Sequence, residues 1–483
     1  MSTFGSRRAI CVIFVAIISI FAQDSYVIPA VRIQAFKPSG VRISIPDVPG
    51  ITLFSFNGNI NKGISTLELG QLRSEVTTPV KGKWTFVDPT IRLNVGDVVY
   101  YYVLVETGLI EGTIFVSGHY SGILRHRIEH LEDTSPEITT EAVAGCKPSP
   151  TEVYQGSEQI CSGQVLLEDR FSTLNDNVWQ IEHLIPIDNP EYPFVSYQRS
   201  SVSIQNRYLT IQAKLQENEP GFSNDTIYCG SLDLSDGCTE PQCSKMASGA
   251  DILPPVVSGR LTSKGFAFKY GTVHVRAKLP IGDWVYPEIM LEPVTKKYGG
   301  MNYASGVLKV AGARGNENLV AGDKDYSNKV LYGGPIMSQE CRDQIIQEYT
   351  QTEGKLWGND FHIYSLRWTP DYISLSVDGK EWSHIDSGTK KLRAKFASHC
   401  KVNIPGNSTK MAPFDDFFYI TLGLSIGGVT EFRDDVKTKD GYPKPWKNSS
   451  RKAMLNFWRD LNSWYTTWKQ PKMIVDYVRV IAL

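Results

Sequence analysis

The chain has 483 residues, with 50 Lys and Arg against 51 Asp and Glu, so its formal net charge is −1. That length exceeds one ordinary compact domain and points to two or three, and the balanced charge argues against nucleic acid as a partner. Hydrophobic residues at 41% and charged residues at 21% exclude a disordered or fibrous chain, and 40 Gly with 23 Tyr lean toward a loop-rich β protein.

At the start, Arg7 and Arg8 precede an apolar run from Ala9 to Phe21, followed by the small residue Ala22. The run is shorter than the roughly 20 residues of a membrane-spanning helix and has the layout of a secretory signal peptide. Residues 1–22 therefore read as a signal cleaved near Ala22, with a signal anchor as the alternative. No later stretch is long and apolar enough to span a bilayer, so a secreted, extracellular protein is expected. Residues 23–125 follow with short β-branched and aromatic runs: VRIQAF, VRISIP, ITLFSF, KWTFV and VVYYYVLV, separated by Gly, Pro and Asn turns. In VRISI, Val41, Ile43 and Ile45 alternate with Arg42 and Ser44, the mark of a strand with one buried face. Strands at this spacing predict an antiparallel β-sandwich. Residues 126–160 are rich in charge, Ser, Thr and Pro and read as an exposed linker. Residues 161–483 return to strand composition, in YLTIQAKL, FAFKYGTVHVRAKLP, FHIYSLRWT, FFYITLGLSIGG and MIVDYVRVIAL. The exception is MLNFWRDLNSWYTTW, where Met454, Trp458, Leu461 and Trp468 recur near helical spacing and predict a short helix packed on the sheet. The expected fold class is all-β.

Removal of Cys11 with the signal would leave Cys146, Cys161, Cys229, Cys238, Cys243, Cys341 and Cys400. Their spacing lacks the paired geometry of a structural zinc site, and an oxidising compartment favours disulfides. An odd number leaves one thiol over; the pairing stays open, with Cys146 to Cys161 one candidate. Asn224, Asn407 and Asn448 head N-x-[S/T] sequons and are candidate glycosylation sites. His274 and His362 have no acidic or Cys companions at ligand spacing, so no metal is expected. No phosphate-binding loop or serine-nucleophile motif is present either, and no cofactor is expected.

The C-terminal segments FKYGTVHVRAKLPIGDWVYPEIMLEP, SGVLKVAGARGN and VDYVRV, in this order, resemble family-16 glycoside hydrolases. The resemblance implies a jelly-roll sandwich over 161–483 with a long glucan cleft. That family's signature reads SGEIDIMESRGN. Ser305-Gly306 and Arg314-Gly315-Asn316 anchor the alignment, which places Val307 at the nucleophile position, Lys309 at the assisting Asp and Gly312 at the acid/base. Retaining hydrolysis needs two carboxyl groups about 5 Å apart; valine cannot form a glycosyl-enzyme and glycine cannot protonate a leaving oxygen. Glu288 and Glu292 lie four residues apart on an expected strand, roughly 13 Å between Cα atoms, too far to replace the lost pair. Trp284 and Tyr286 match aromatic positions that line sugar subsites in the family and are candidate binding residues.

At the N-terminal end, YVIPAVRIQAFKPSGVRISIPDVPGITLFSFNGNIN, GKWTF and LNVGDVVYYYV resemble the glucan-binding domain of insect β-1,3-glucan recognition proteins, also called Gram-negative bacteria-binding proteins. The resemblance implies an immunoglobulin-like family-39 carbohydrate-binding module that holds β-1,3-glucan on its surface. Trp84 is the leading candidate for an exposed stacking aromatic, followed by Asp47, Asn57, Asp88, Arg92, Asp97 and Tyr101. The text after Phe86, VDPTI, departs from the more basic text of that family.

Together these resemblances imply a pattern-recognition receptor of the haemolymph that binds microbial β-1,3-glucan, self-associates on the polymer and recruits serine proteases of a prophenoloxidase or Toll-type cascade. The alternatives are an active secreted β-1,3-glucanase and a binder of bacterial lipopolysaccharide or lipoteichoic acid.

Overall fold

A computed structural model describes residues 27–64, 70–76, 79–88, 91–107, 117–132, 146–156, 159–240, 243–351, 354–388, 391–395, 404–438 and 441–483. The signal-peptide segment and Cys400 lie outside the described residues. The chain divides into two compact units, Met1–Ala142 and Val143–Leu483.

In the first unit, β1 (Arg32–Ala35), β2 (Val41–Pro46) and β5 (Lys83–Asp88) form one antiparallel sheet in the order β1-β2-β5. The second sheet runs β4 (Leu72–Val76), β3 (Ile51–Ile60), β6 (Val98–Thr107) and β7 (Ser117–Tyr120), with β8 (Leu124–Arg127) also on β6. Val41, Ile43 and Ile45 of β2 are buried, as their alternation predicts, against Phe54, Phe56, Val99, Val103 and Val105 of the second sheet. Each such side chain contributes about 1.5–3 kcal/mol by leaving water.

The expected linker begins too early and ends too late. Ile128 is buried in the N-terminal core, and Phe36 bridges in parallel to Glu132. At the other end, Glu152–Val153 pairs with the strand Arg260–Lys269, and Cys146 is disulfide-bonded to Cys161. The strand contacts join residues distant in sequence, so local polarity gives no sign of them, whereas the Cys146–Cys161 disulfide is the pairing that the sequence offered as a candidate.

The second unit contains two eight-stranded sheets. One is ordered Val202–Gln205, Tyr208–Gln212, Lys472–Ile481, Gly271–Lys278, His362–Trp368, Tyr372–Val377 and Lys380–Asp386, with Val165–Asp169 also against Lys472–Ile481. The other is ordered Gln180–Ile181, Arg260–Lys269, Phe418–Ile426, Val285–Pro293, Val307–Gly312, Val330–Ile336 and Gln347–Thr350, with Glu152–Val153 at Arg260–Lys269. One apolar core includes residues of both, among them Val273, Val275, Leu366, Ile289, Leu291, Leu422 and Leu424. The unit closes on itself: Val165 pairs with Ile481, and Gly163 N donates to the Ala482 carbonyl. The aromatic segment near the end forms helices Ala453–Arg459 and Leu461–Trp464, burying Met454, Trp458 and Trp464.

Candidate functional site

The N-terminal sandwich has an open cleft lined by Asp47, Val48, Pro49, Gly50, Ile51, Pro79 and Trp84. β2 and β5 pair so that Trp84 faces Ile45 and Phe86 faces Ile43. Residues directly opposite in an antiparallel pair share a face, so Trp84 falls on the core side. Its side chain is only 2% exposed, and Nε1 donates to Asp47 Oδ1 at 2.9 Å. The expectation of an exposed stacking platform at Trp84 is therefore corrected: the indole is a core residue that reaches the cleft, while Asp47 is exposed there.

Two more expected surface residues are buried. Tyr101 stacks on Phe56 with ring centroids 5.1 Å apart, and burial pushes its phenol above the ordinary value. Asn57 is buried on the central strand β3, opposite Tyr102 of β6. Asp97 clasps a turn, accepting from Asn61 Nδ2 at 2.8 Å and from Asn94 N at 2.7 Å; these bonds hold its carboxyl below the ordinary range. Asp88 ends β5, half-buried and opposite Val41, and Arg92 is exposed. The structure thus brings Asp47 and Trp84 together and leaves the other five outside that cleft.

In the C-terminal unit, the strand Val307–Gly312 lies between Val285–Pro293 and Val330–Ile336, and every residue in it is buried. A cavity of about 360 Å³ opens over this strand, with Val307, Lys309, Arg260, Glu288, Glu292 and Tyr303 in its lining. Gly312 faces Tyr332, and a Cβ built on it would stand 2.7 Å from Tyr332 Cζ. Trp284 and Tyr286, expected in sugar subsites, are each 1% exposed. Trp284 packs edge-on against Trp446 and Phe432, and Tyr286 against Phe432, so both belong to the aromatic core beneath the sheet face.

Charged groups inside this unit neutralise one another. Arg260 Nε donates to Glu288 Oε2 at 3.0 Å, and its Nη2 donates to Glu292. Glu288 also accepts from Ser425 Oγ at 2.9 Å and Tyr197 OH at 3.3 Å. Burial raises the Glu288 carboxyl, an effect only partly offset by Arg260. Burial would raise Glu431 as well, but Arg342, Arg314 and Lys309 outweigh it and bring its carboxyl down to about 2. Arg342 bridges onward, donating from Nε to Glu191 Oε1 at 2.8 Å, an oxygen that also accepts from Tyr303 OH at 2.8 Å.

A carbohydrate-binding-domain model (CBM39, "Carbohydrate binding domain (family 32)") matches residues 27–119. The chain is 47% identical to a β-1,3-glucan-binding protein of Hyphantria cunea, across 98% of this chain and 100% of that one. The chain belongs to the β-1,3-glucan-binding protein family. It is also 32% identical to Gram-negative bacteria-binding protein 1 of Drosophila melanogaster, over 98% and 99% of the two chains. Among solved structures, the laminarinase catalytic domain of Thermotoga maritima is similar with a TM-score of 0.42 and 18% identity, covering 67% of this chain and 99% of that one.

Within this member of the β-1,3-glucan-binding protein family, the sequons differ in setting. Asn407 is exposed in a turn. Asn224 is exposed at the start of a short helix, its Oδ1 accepting from Trp458 Nε1. Asn448 is half-buried, with Nδ2 donating to the Phe432 carbonyl and Oδ1 accepting from Lys444. Cys238 is bonded to Cys243, Cys341 is also disulfide-bonded, and Cys229 is an exposed free thiol. Among the described residues, no helix is long and apolar enough to cross a membrane and no group of side chains is arranged to hold a metal. Sequence reading overlooked Arg260, Arg342 and Glu431. Their partners lie up to 151 positions away, and no local pattern marks them.

Proposed function

We propose that the protein is a secreted pattern-recognition receptor that binds microbial β-1,3-glucan through its N-terminal sandwich and performs no hydrolysis. The observation that carries this reading is full-length similarity to a protein named for β-1,3-glucan binding, with a carbohydrate-binding-domain match on the N-terminal sandwich. The cleft at Asp47 and Trp84 is the proposed contact surface, with Asp88 and Arg92 as outlying candidates. A polymer offers many such sites, so bound copies cluster and gain avidity without new contacts. Clustering is the proposed route to self-association and to a serine-protease cascade. The disulfides Cys146–Cys161 and Cys238–Cys243 support an oxidising, extracellular setting.

Catalytic silence rests on the residues of the strand Val307–Gly312. Retaining hydrolysis requires a carboxylate nucleophile and a carboxylic acid about 5 Å apart, and the aligned positions hold Val307 and Gly312. Nearby carboxylates in the cavity lining are committed elsewhere: Glu288 and Glu292 to Arg260, and Glu191 to Arg342. A second ligand class, a bacterial surface glycolipid, is favoured by the Gram-negative bacteria-binding name of the Drosophila relative.

The test is capture of the full secreted chain on insoluble β-1,3-glucan, with released reducing sugar assayed in parallel. Capture without sugar release is expected. Sugar release would make the protein a glucanase, and failure of capture would remove glucan as its ligand. Competition of capture by lipopolysaccharide would support the second ligand class.

A further inference from the structure

Four neighbouring strands, Phe418–Ile426, Val285–Pro293, Val307–Gly312 and Val330–Ile336, each contribute one residue to a row across the cavity of the C-terminal unit. Glu292 pairs with Tyr419, and Val307 pairs with Ile336. The pairing of Met290 with Lys309 and of Leu291 with Leu308 puts Glu292 opposite Val307 in the same register. The row therefore runs Tyr419, Glu292, Val307, Ile336, and all four residues line the cavity. Residues directly opposite share a sheet face, with Cβ atoms about 5 Å apart. A hydrogen-bond acceptor thus stands beside an aliphatic surface.

The charges of the lining leave that acceptor open. Arg260 and Thr421 both donate to Oε2 of Glu292, and among the described residues nothing donates to its Oε1. The Glu292 side chain keeps 20% of its surface exposed, so a ligand can reach it. Arg260 also serves Glu288, while Glu191 is held by Arg342 and Lys309 is paired with the buried Glu431. Asp188, Glu240 and Lys296 line the cavity at exposed positions, where water screens them. With one guanidinium shared between Glu288 and Glu292, the site favours a ligand that brings hydrogen-bond donors. Beside the acceptor the wall is apolar: Val307 and Ile336 are joined by Met290, two positions from Glu292 on the same strand face, and by Leu184, Ile185 and Ile187. An ammonium group would satisfy Glu292 but would bury its charge against Val307 and Ile336, which is costly. An acetamido group matches both walls, its N–H being a neutral donor and its methyl covering aliphatic surface. The volume, about 360 Å³, lies within the range of small-molecule sites.

We propose that this cavity binds an N-acetylated amino sugar, with the acetamido N–H donating to Glu292 Oε1 and the acetamido methyl packed on Val307 and Ile336. The site shares no residue with the cleft of the N-terminal sandwich and is independent of the reading given to that cleft. Two microbial polymers supply this chemistry: chitin and the glycan strands of peptidoglycan.

The experiment is calorimetric titration of the full chain with three β-1,4-linked trisaccharides that differ only at C2: cellotriose, tri-N-acetylchitotriose and chitotriose. The acetylated trimer is expected to bind about fivefold or more tighter than cellotriose, the effect of covering one methyl group. Equal affinity overturns the proposal, and this comparison needs no variant. Tighter binding of the amine trimer than of the acetylated one overturns it too, since charge alone then explains the affinity. In Val307→Thr, which replaces a methyl by a hydroxyl at nearly constant volume, the preference for the acetylated trimer should fall toward parity. In Val307→Ile it should persist, with thermal melting reporting whether each variant folds. A full preference in a folded Val307→Thr chain also overturns the proposal. Glycol chitin and a soluble peptidoglycan digest, added in turn, identify the source by displacing the trimer, and displacement by neither overturns it. Capture on insoluble β-1,3-glucan is measured separately, so loss of one result leaves the other standing.

Discussion

The ring of Tyr332 occupies the space that any side chain at position 312 would need: a Cβ on Gly312 would lie 2.7 Å from Tyr332 Cζ and 2.9 Å from the phenol oxygen. The position that aligns with the acid/base residue of family-16 hydrolases is therefore filled by a neighbouring ring. Placing glutamates at both aligned positions, Val307→Glu with Gly312→Glu, is expected to yield no sugar release from laminarin. It should also lower unfolding stability by about 1–3 kcal/mol, the usual effect of forcing atoms into a packed core. Adding Tyr332→Ala should recover part of that loss in denaturant titration.

Trp84 and Asp47 are predicted to separate under mutation. Trp84→Ala removes a buried indole and should cost about 3–5 kcal/mol, so any loss of glucan capture in it would be confounded with damage to the sandwich. Asp47→Ala deletes an exposed partner of the indole N–H and should cost only about 1 kcal/mol. Reduced capture of a folded Asp47→Ala chain on insoluble β-1,3-glucan is the expected result; undiminished capture would move the binding surface elsewhere.

His274 should make the C-terminal unit acid-sensitive. Its Nδ1 sits 2.7 Å from Ser365 Oγ; burial first, then the Arg479 charge, lower its pKa from 6.5 to about 4. Between those values the unfolded chain binds a proton that the folded chain refuses. Stability is then complete above about pH 6.5 and is lost as pH falls toward 4, by up to about 3 kcal/mol. Melting temperature measured from pH 7 to pH 4 should fall less steeply in His274→Gln than in the unaltered chain.

Arg260 holds Glu288 and Glu292 together beneath the cavity. Arg260→Met would strand both carboxylates and is expected to destabilise by about 3–5 kcal/mol. Combining it with Glu288→Gln and Glu292→Gln should restore most of that loss. Equal stability of the single and triple variants in urea unfolding would show that the ion cluster carries little of the effect.

Much of this architecture is legible before folding is considered. The alternation of Val41, Ile43 and Ile45 identifies a strand face, and the lettering of Ser305 to Asn316 locates the buried strand Val307–Gly312. What failed was the inference from residue type to exposure. The resemblances imply sugar-facing positions for Trp84, Trp284 and Tyr286, yet all three are buried. For Trp84 the missing fact was register: pairing with Ile45 places it on the core side, and strand partners cannot be read from one strand alone. The Arg342–Glu191 and Arg342–Glu431 pairs were invisible for a related reason, since only tertiary packing brings residues 151 and 89 positions apart into contact.

Val165–Asp169 and Lys472–Ile481 pair along one edge, with Gly163 bonded to Ala482 and Cys146 to Cys161 close by in sequence. The two ends of the hydrolase-like unit therefore emerge side by side. A short Gly-Ser bridge from Leu483 back to Cys161, with new termini opened at the exposed Gly237 turn, would give a circular permutant that keeps the pairing of Val165–Asp169 with Lys472–Ile481 and gives up that of Glu152–Val153 with Arg260–Lys269. The arrangement also makes the unit modular: another domain can be attached at that shared doorway without the jelly roll having to change its own topology.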